Sequence, residues 1–152
     1  MKSVAHALAV AGLLCFSAPA NAQDPVKKVV SSDSAPEAIG PYSQAIRAGK
    51  TVFLSGQIPI DPQTKQLMKD ASIEDQTRLI FNNLKAVLEA DGLSLDHVVS
   101  TTVYMKDLNE FGKMNEVYAT FFKDAPPARA TVEVARLPRD VKIEIGAIAV
   151  HP

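Results

Sequence analysis

The chain has 152 residues, enough for one domain with its own core. Its 47% hydrophobic and 22% charged content is that of an ordinary globular protein. A net charge of −1 gives no electrostatic footing to a nucleic-acid partner or an anionic membrane surface.

Residues 1–22 read as a secretory signal peptide. Lys2 gives a short positive start, Val4 to Phe16 is mostly apolar, and Ala20-Asn21-Ala22 is an A-x-A cleavage site before Gln23. The apolar run is too short for a comfortable bilayer span, and no later segment approaches one. Leu14 ahead of Cys15 is a poor match for lipoprotein processing. The expectation is export across the inner membrane to the periplasm, with residues 23–152 as the mature domain. Cleavage removes Cys15, the only cysteine, so the mature domain has no disulfide, thiol nucleophile or cysteine metal ligand. Its core, or an oligomer, must hold the fold without a crosslink.

The mature chain opens on a polar lead-in from Gln23 to Asp33, with Val29-Val30 as a short strand. Two prolines and a glycine make Ala35 to Pro41 a loop. Tyr42 to Arg47 and Thr51 to Leu54 read as a hairpin around Gly49-Lys50. Gly56, just past the second strand, marks either a bulge or a close backbone approach. Pro59 to Lys69 is a loop with Asp61-Pro62 as turn chemistry.

Ser72 to Asp91 is the first helix. Ser72 is its cap, Ile73, Ile80, Leu84, Val87 and Leu88 form its apolar face, and Gly92 is its stop. Val98 to Met105 is a strand. Asp107 to Glu110 resembles a capping box that opens a second helix to Phe122. Its face is Leu108, Phe111, Met114, Tyr118, Phe121 and Phe122, read as core.

Two strands follow, Arg129 to Arg136 and Val141 to Val150, joined by a Pro-containing loop. Along the last strand Val141, Ile143, Ile145, Ala147 and Ala149 face one way. The other face is also largely apolar around Glu144, which implies cover from another subunit. The order β-β-α-β-α-β-β predicts an α+β domain, a mixed sheet with two helices on one face.

Nucleotide-binding glycine motifs are absent. His97 and His151 have no metal-ligand company, and no histidine pair serves acid–base work. Two other residues carry chemistry. Arg129 follows Pro126-Pro127-Ala128, so a stiff segment presents its guanidinium fork, suited to a carboxylate. A salt bridge to a neighbouring acid is the structural alternative. Glu144 sits mid-strand on an apolar face, where its pKa should rise toward neutral and suit proton transfer. A buried ion pair, with Arg129 itself as one candidate, is the alternative there.

Several ordered motifs resemble one family. Pro127-Ala128-Arg129-Ala130, Val132, Ala135 and Leu137, then Ile143-Glu144-Ile145, match the signature of the Rid (YjgF-type, reactive intermediate deaminase) family. So do Ile39 to Gln44, Ser55 to Pro59, Thr101 to Tyr104 with Lys106 to Leu108, and Val134 to Pro138. The resemblance spans roughly Val29 to Val150.

It implies a chorismate-mutase-like fold in a homotrimer whose sheets form a central barrel, with sites in clefts between subunits. It also implies hydrolysis of enamines and imines, typified by 2-aminoacrylate, to 2-keto acids and ammonia, without metal or organic cofactor. By motif, Arg129 would grip the substrate carboxylate, and Glu144 would position water and move protons. Tyr42 would reach in from the neighbouring subunit, Gly56 would offer backbone contacts, and Asn115 and Thr131 would line the pocket. Thr131 stands where many members have cysteine. Arg129 and Glu144, with Tyr42 and Gly56, are expected to form one wall of the cleft. The competing reading is a small-ligand sensor or chaperone-like binding protein using the same cleft. An RNA-cleaving activity also has family precedent, but the acidic balance and the lack of paired histidines argue against it.

Overall fold

The first helix shows how the sequence builds the domain. In the computed structural model, which describes residues 26–152, α1 runs from Ile73 to Ala90. The expected signal peptide lies outside the described residues. The Ser72 hydroxyl accepts from the Asp75 amide, 3.1 Å away, satisfying one of the open N–H groups of the first turn. At the other end Gly92 takes φ +75°, and Leu93 N–H donates back to the Leu88 carbonyl at 3.0 Å. Ile73, Ile80, Leu84, Val87 and Leu88 are all buried, as their spacing predicts.

That stripe lies against the sheet. The strands are β1 (Lys28–Val30), β2 (Ala45–Ala48), β3 (Thr51–Gln57), β4 (Val98–Met105), β5 (Ala128–Glu133) and β6 (Ile143–Val150). They form one six-stranded sheet in the order β1-β2-β3-β6-β4-β5. Every pairing is antiparallel except β4 with β5. Helix α1 packs on β6 and β3, and the second helix, α2 (Phe111–Phe121), packs on α1. Ile143, Ile145, Ala147 and Ala149 of β6 are buried on the helix side. This is the expected mixed-sheet α+β domain.

Several expectations change in detail. Tyr42 is not in a strand; β2 begins at Ala45, and Tyr42 lies exposed in the preceding loop. Strand β3 continues through Ser55-Gly56-Gln57, with a register shift against β6 there. Asp107 does not close a capping box. Its carboxylate accepts from the Asn109 amide at 2.8 Å, while the Glu110 carboxylate bonds Lys142 at 3.2 Å. A 3-10 turn over Leu108–Glu110 therefore precedes α2, and it rotates Leu108 and Phe111 out of the core. Strand β5 stops at Glu133. Although β5 and β6 are successive in the chain, β4 lies between them.

The sheet face away from the helices is open in the single chain. Phe53 is 48% exposed, Val132 42% and Tyr104 36%. At the far end of the sheet, Asp91 ties down the C-terminal segment. Its carboxylate is almost fully buried, meets His151 Nε2 at 2.9 Å, and lies 3.5 Å from Arg47 and 3.6 Å from Lys28.

Candidate active site, in two halves

Strand alternation sorts the predicted site residues that lie on β5 and β6. Arg129 pairs with Thr101 of β4, and Thr131 with Val103. Thr101 and Val103 are buried on the helix side, so Arg129 and Thr131 face that side too. Glu144 pairs with Tyr104, which points to the open side.

On the helix side, Arg129 Nη2 donates to Asn115 Oδ1 at 2.9 Å. The guanidinium carbon lies 4.3 Å from the centre of the Tyr118 ring and 5.6 Å from that of Phe111. Thr131 Oγ1 is buried and has no hydrogen-bond partner among the described residues. A buried unpartnered hydroxyl costs free energy unless something arrives to satisfy it. Arg129, Asn115 and Thr131 thus form one half: a held cation and, two positions along the same strand face, a buried hydroxyl.

On the open side, Glu144, Gly56, Ser55, Tyr42, Ile39 and Pro138 line a cavity of about 290 Å³. Gly56 lies directly over the Glu144 carboxyl, and a Cβ there would overlap it. The Tyr42 hydroxyl accepts from the Ile39 amide at 3.2 Å, which folds the loop over this cavity. Glu144 also borders a second cavity of about 290 Å³ that includes Ser100, Thr102 and Tyr104. Burial alone raises its pKa above the ordinary carboxylate value; no cation offsets the effect.

The structure therefore brings together Arg129, Asn115 and Thr131, and separately Glu144, Gly56 and Tyr42. It does not put Arg129 and Glu144 on one wall. A salt bridge between them within one chain is excluded, because the sheet stands between their side chains. Among the described residues no cluster of His, Cys, Asp or Glu could hold a metal ion.

Tyr118 has a second role that periodicity alone does not show. It is core, as its spacing predicts, yet its ring is also the floor beneath Arg129. Its position three residues after Asn115, on the same helix face, was the available signal.

Residues 32–151 match the family model described as Endoribonuclease L-PSP. The chain belongs to this family, the YjgF/Rid family. A RutC family protein of Pyrococcus horikoshii is 57% identical over 124 residues, covering 82% of this chain and 98% of that protein. TdcF of Escherichia coli, named as a candidate reactive intermediate deaminase, is 48% identical over 129 residues, covering 83% and 98%. Its crystal structure with bound serine superposes with a TM-score of 0.78, covering 82% of this chain and 99% of that one. A Thermotoga maritima protein described as a candidate endoribonuclease superposes with a TM-score of 0.79 at 52% identity, covering 82% and 98%. The names of these relatives include both deaminase and ribonuclease.

Proposed function

We propose that this protein hydrolyses 2-imino acids, and the enamines that tautomerise to them, to 2-keto acids and ammonia. The observation that carries this reading is Glu144. It is a half-buried carboxyl, its pKa is raised by burial alone, and it is pressed against Gly56 at a cavity. A protein that only gripped a carboxylate would have no evident need of it.

The two halves must meet for the chemistry to occur. The oligomer expected here is a homotrimer in which the Arg129 half of one copy faces the Glu144 half of the next. The exposed apolar residues of the open face support an arrangement that covers them. Arg129 holds the substrate carboxylate, and Thr131 Oγ1 donates a second hydrogen bond to it. The imine carbon is already electrophilic. Glu144, ionised, takes a proton from water as its oxygen attacks that carbon. The imine nitrogen takes up that proton, giving the neutral carbinolamine; Glu144 then removes the hydroxyl proton and passes it to the nitrogen as the C–N bond breaks, so that ammonia leaves, the C=O of the keto acid forms and the carboxylate is regenerated. Orientation and one poised acid–base group are enough, with no cofactor called for.

TdcF with bound serine favours one second reading, a ligand-binding module that captures small amino-acid-like carboxylates. One experiment separates the two. Imino acids are generated from several amino acids with an amino-acid oxidase, and their decay is followed with and without the protein. Accelerated decay that Arg129→Ala abolishes supports the enzyme. No acceleration for any amino acid, with retained binding of 2-oxobutanoate, supports the binding module.

Export to the periplasm remains part of the proposal. The family match begins at residue 32, so the apolar N-terminal stretch precedes the matched region. Fractionation of cells producing the chain, with sequencing of the mature N-terminus, tests it; recovery of the uncut chain in the cytoplasm rejects it.

A further inference from the structure

The guanidinium of Arg129 is held by its own chain. Asn115 fixes one edge through the 2.9 Å bond to Nη2. The Tyr118 ring lies 4.3 Å below it. That ring is itself locked. Its hydroxyl is 2.8 Å from Thr101 Oγ1 in a buried pair, and the ring packs edge-to-face with Phe81 at 5.2 Å and tilted against Phe122 at 4.9 Å between ring centres. Thr101 is also the register partner of Arg129 across β4–β5. One strand position therefore sets the height of the arginine and the tilt of the ring beneath it.

We infer that Tyr118 is a positioning residue for Arg129: a rigid aromatic platform, locked by Thr101, that presents the guanidinium fork to the substrate carboxylate. As a claim about catalysis this rests on the imine-hydrolase reading; as a claim about the side chain it stands alone. An arginine with free torsions must lose them on binding, whereas one already held by a ring and an amide loses little. The cation also gains from the ring face, and more so in this partly desolvated place.

The test replaces Tyr118 with phenylalanine and then with phenylalanines of increasing ring fluorination. The ring keeps nearly the same shape while its attraction for a cation falls stepwise. Two quantities are followed across the series: the hindered rotation of the Arg129 guanidinium by nitrogen NMR without ligand, and the affinity for 2-oxobutanoate by calorimetry. The expected result is progressive loss of restraint at Arg129 and a cumulative affinity loss of roughly tenfold, with KM for the imino acid rising more than kcat falls. A flat series in the NMR signal overturns the inference, since a ring that only fills the core would give that result. To separate packing from platform, Thr101→Val with Tyr118→Phe removes both buried hydroxyls together and should restore the melting temperature lost by Tyr118→Phe alone. If the unsubstituted protein neither hydrolyses imines nor binds 2-oxobutanoate, the functional reading fails, and the NMR series still decides the role of Tyr118.

Discussion

Arg129 and Glu144 sit on the two strands that flank β4 and point to opposite faces of the sheet. Neither can complete a site with the other in the same chain. If two copies share each site, two inactive variants should complement each other. Arg129→Ala and Glu144→Gln, each inactive alone, should recover about one quarter of wild-type activity when unfolded and refolded together, the statistical share of sites in a cyclic oligomer that draw both intact residues. Recovery near zero would place both residues of a site in one chain and reject the shared cleft.

Glu144 makes a pH prediction of definite sign. Its pKa in the folded protein is raised by burial. The base form is required for attack, so activity should fall with decreasing pH along a limb lying above the ordinary carboxylate range. For stability, a raised carboxyl pKa means the folded state keeps its proton longer than the unfolded chain does. Stability from this group is present at low pH and is lost as pH rises from the unfolded to the folded pKa. Glu144→Gln should therefore melt higher than the parent at neutral pH and close to it at pH 4, while turning over imine far more slowly. Melting curves at the two pH values and a rate profile check both parts.

A methyl group at Gly56 should cost activity rather than the fold, because the atoms it meets belong to the flexible end of the Glu144 side chain. A Cβ there overlaps the Glu144 carboxyl, so Gly56→Ala must turn that side chain aside. A displacement of the base by about 1 Å costs on the order of 100-fold in rate. The expected outcome is that loss with an unchanged far-ultraviolet spectrum. A Gly56→Ala protein with parental turnover would remove Glu144 from the chemistry.

Thr131 should show opposite effects on stability and binding. Its buried hydroxyl has no partner among the described residues. Thr131→Val removes an unsatisfied group and should be neutral or stabilising by about 1 kcal/mol. The same change should weaken 2-oxobutanoate binding, because the hydroxyl no longer reaches the ligand carboxylate. Equal affinities for the two proteins would confine Thr131 to packing.

Asp91 lies far from both halves, and its removal should cost stability alone. Its buried carboxylate receives His151 and stands near Arg47 and Lys28. Asp91→Asn should lower stability by about 1.5–3 kcal/mol, the scale of hydrogen bonds to a charged group. Denaturant unfolding gives the stability, and imine turnover well below the melting temperature should stay at the parental rate.

Much of the architecture was legible because it depends on local pattern. The α1 stripe, the Ser72 cap, the Gly92 stop and the whole of β4 follow from spacing and capping chemistry. The errors fall where two local signals compete. Leu108 and Phe111 fit a helical stripe, but the 3-10 turn after Asp107 shifts the phase of everything before Met114. Tyr42 continues a run of strand-like residues, yet Gly40-Pro41 keeps it in the loop beside Glu144.

The sequence by itself determined the fold class and the family, and the family resemblance named six residues for the proposed site, because motifs depend on residue type at a fixed spacing. Only the tertiary structure decided which of them belong together. Whether two side chains share a face depends on strand order and register, and these follow from long-range pairing across the sheet. Inserting β4 between β5 and β6 sent Arg129 toward the helices and Glu144 to the open face. It also set Tyr118 beneath the arginine, because Thr101 on that same strand holds both in register.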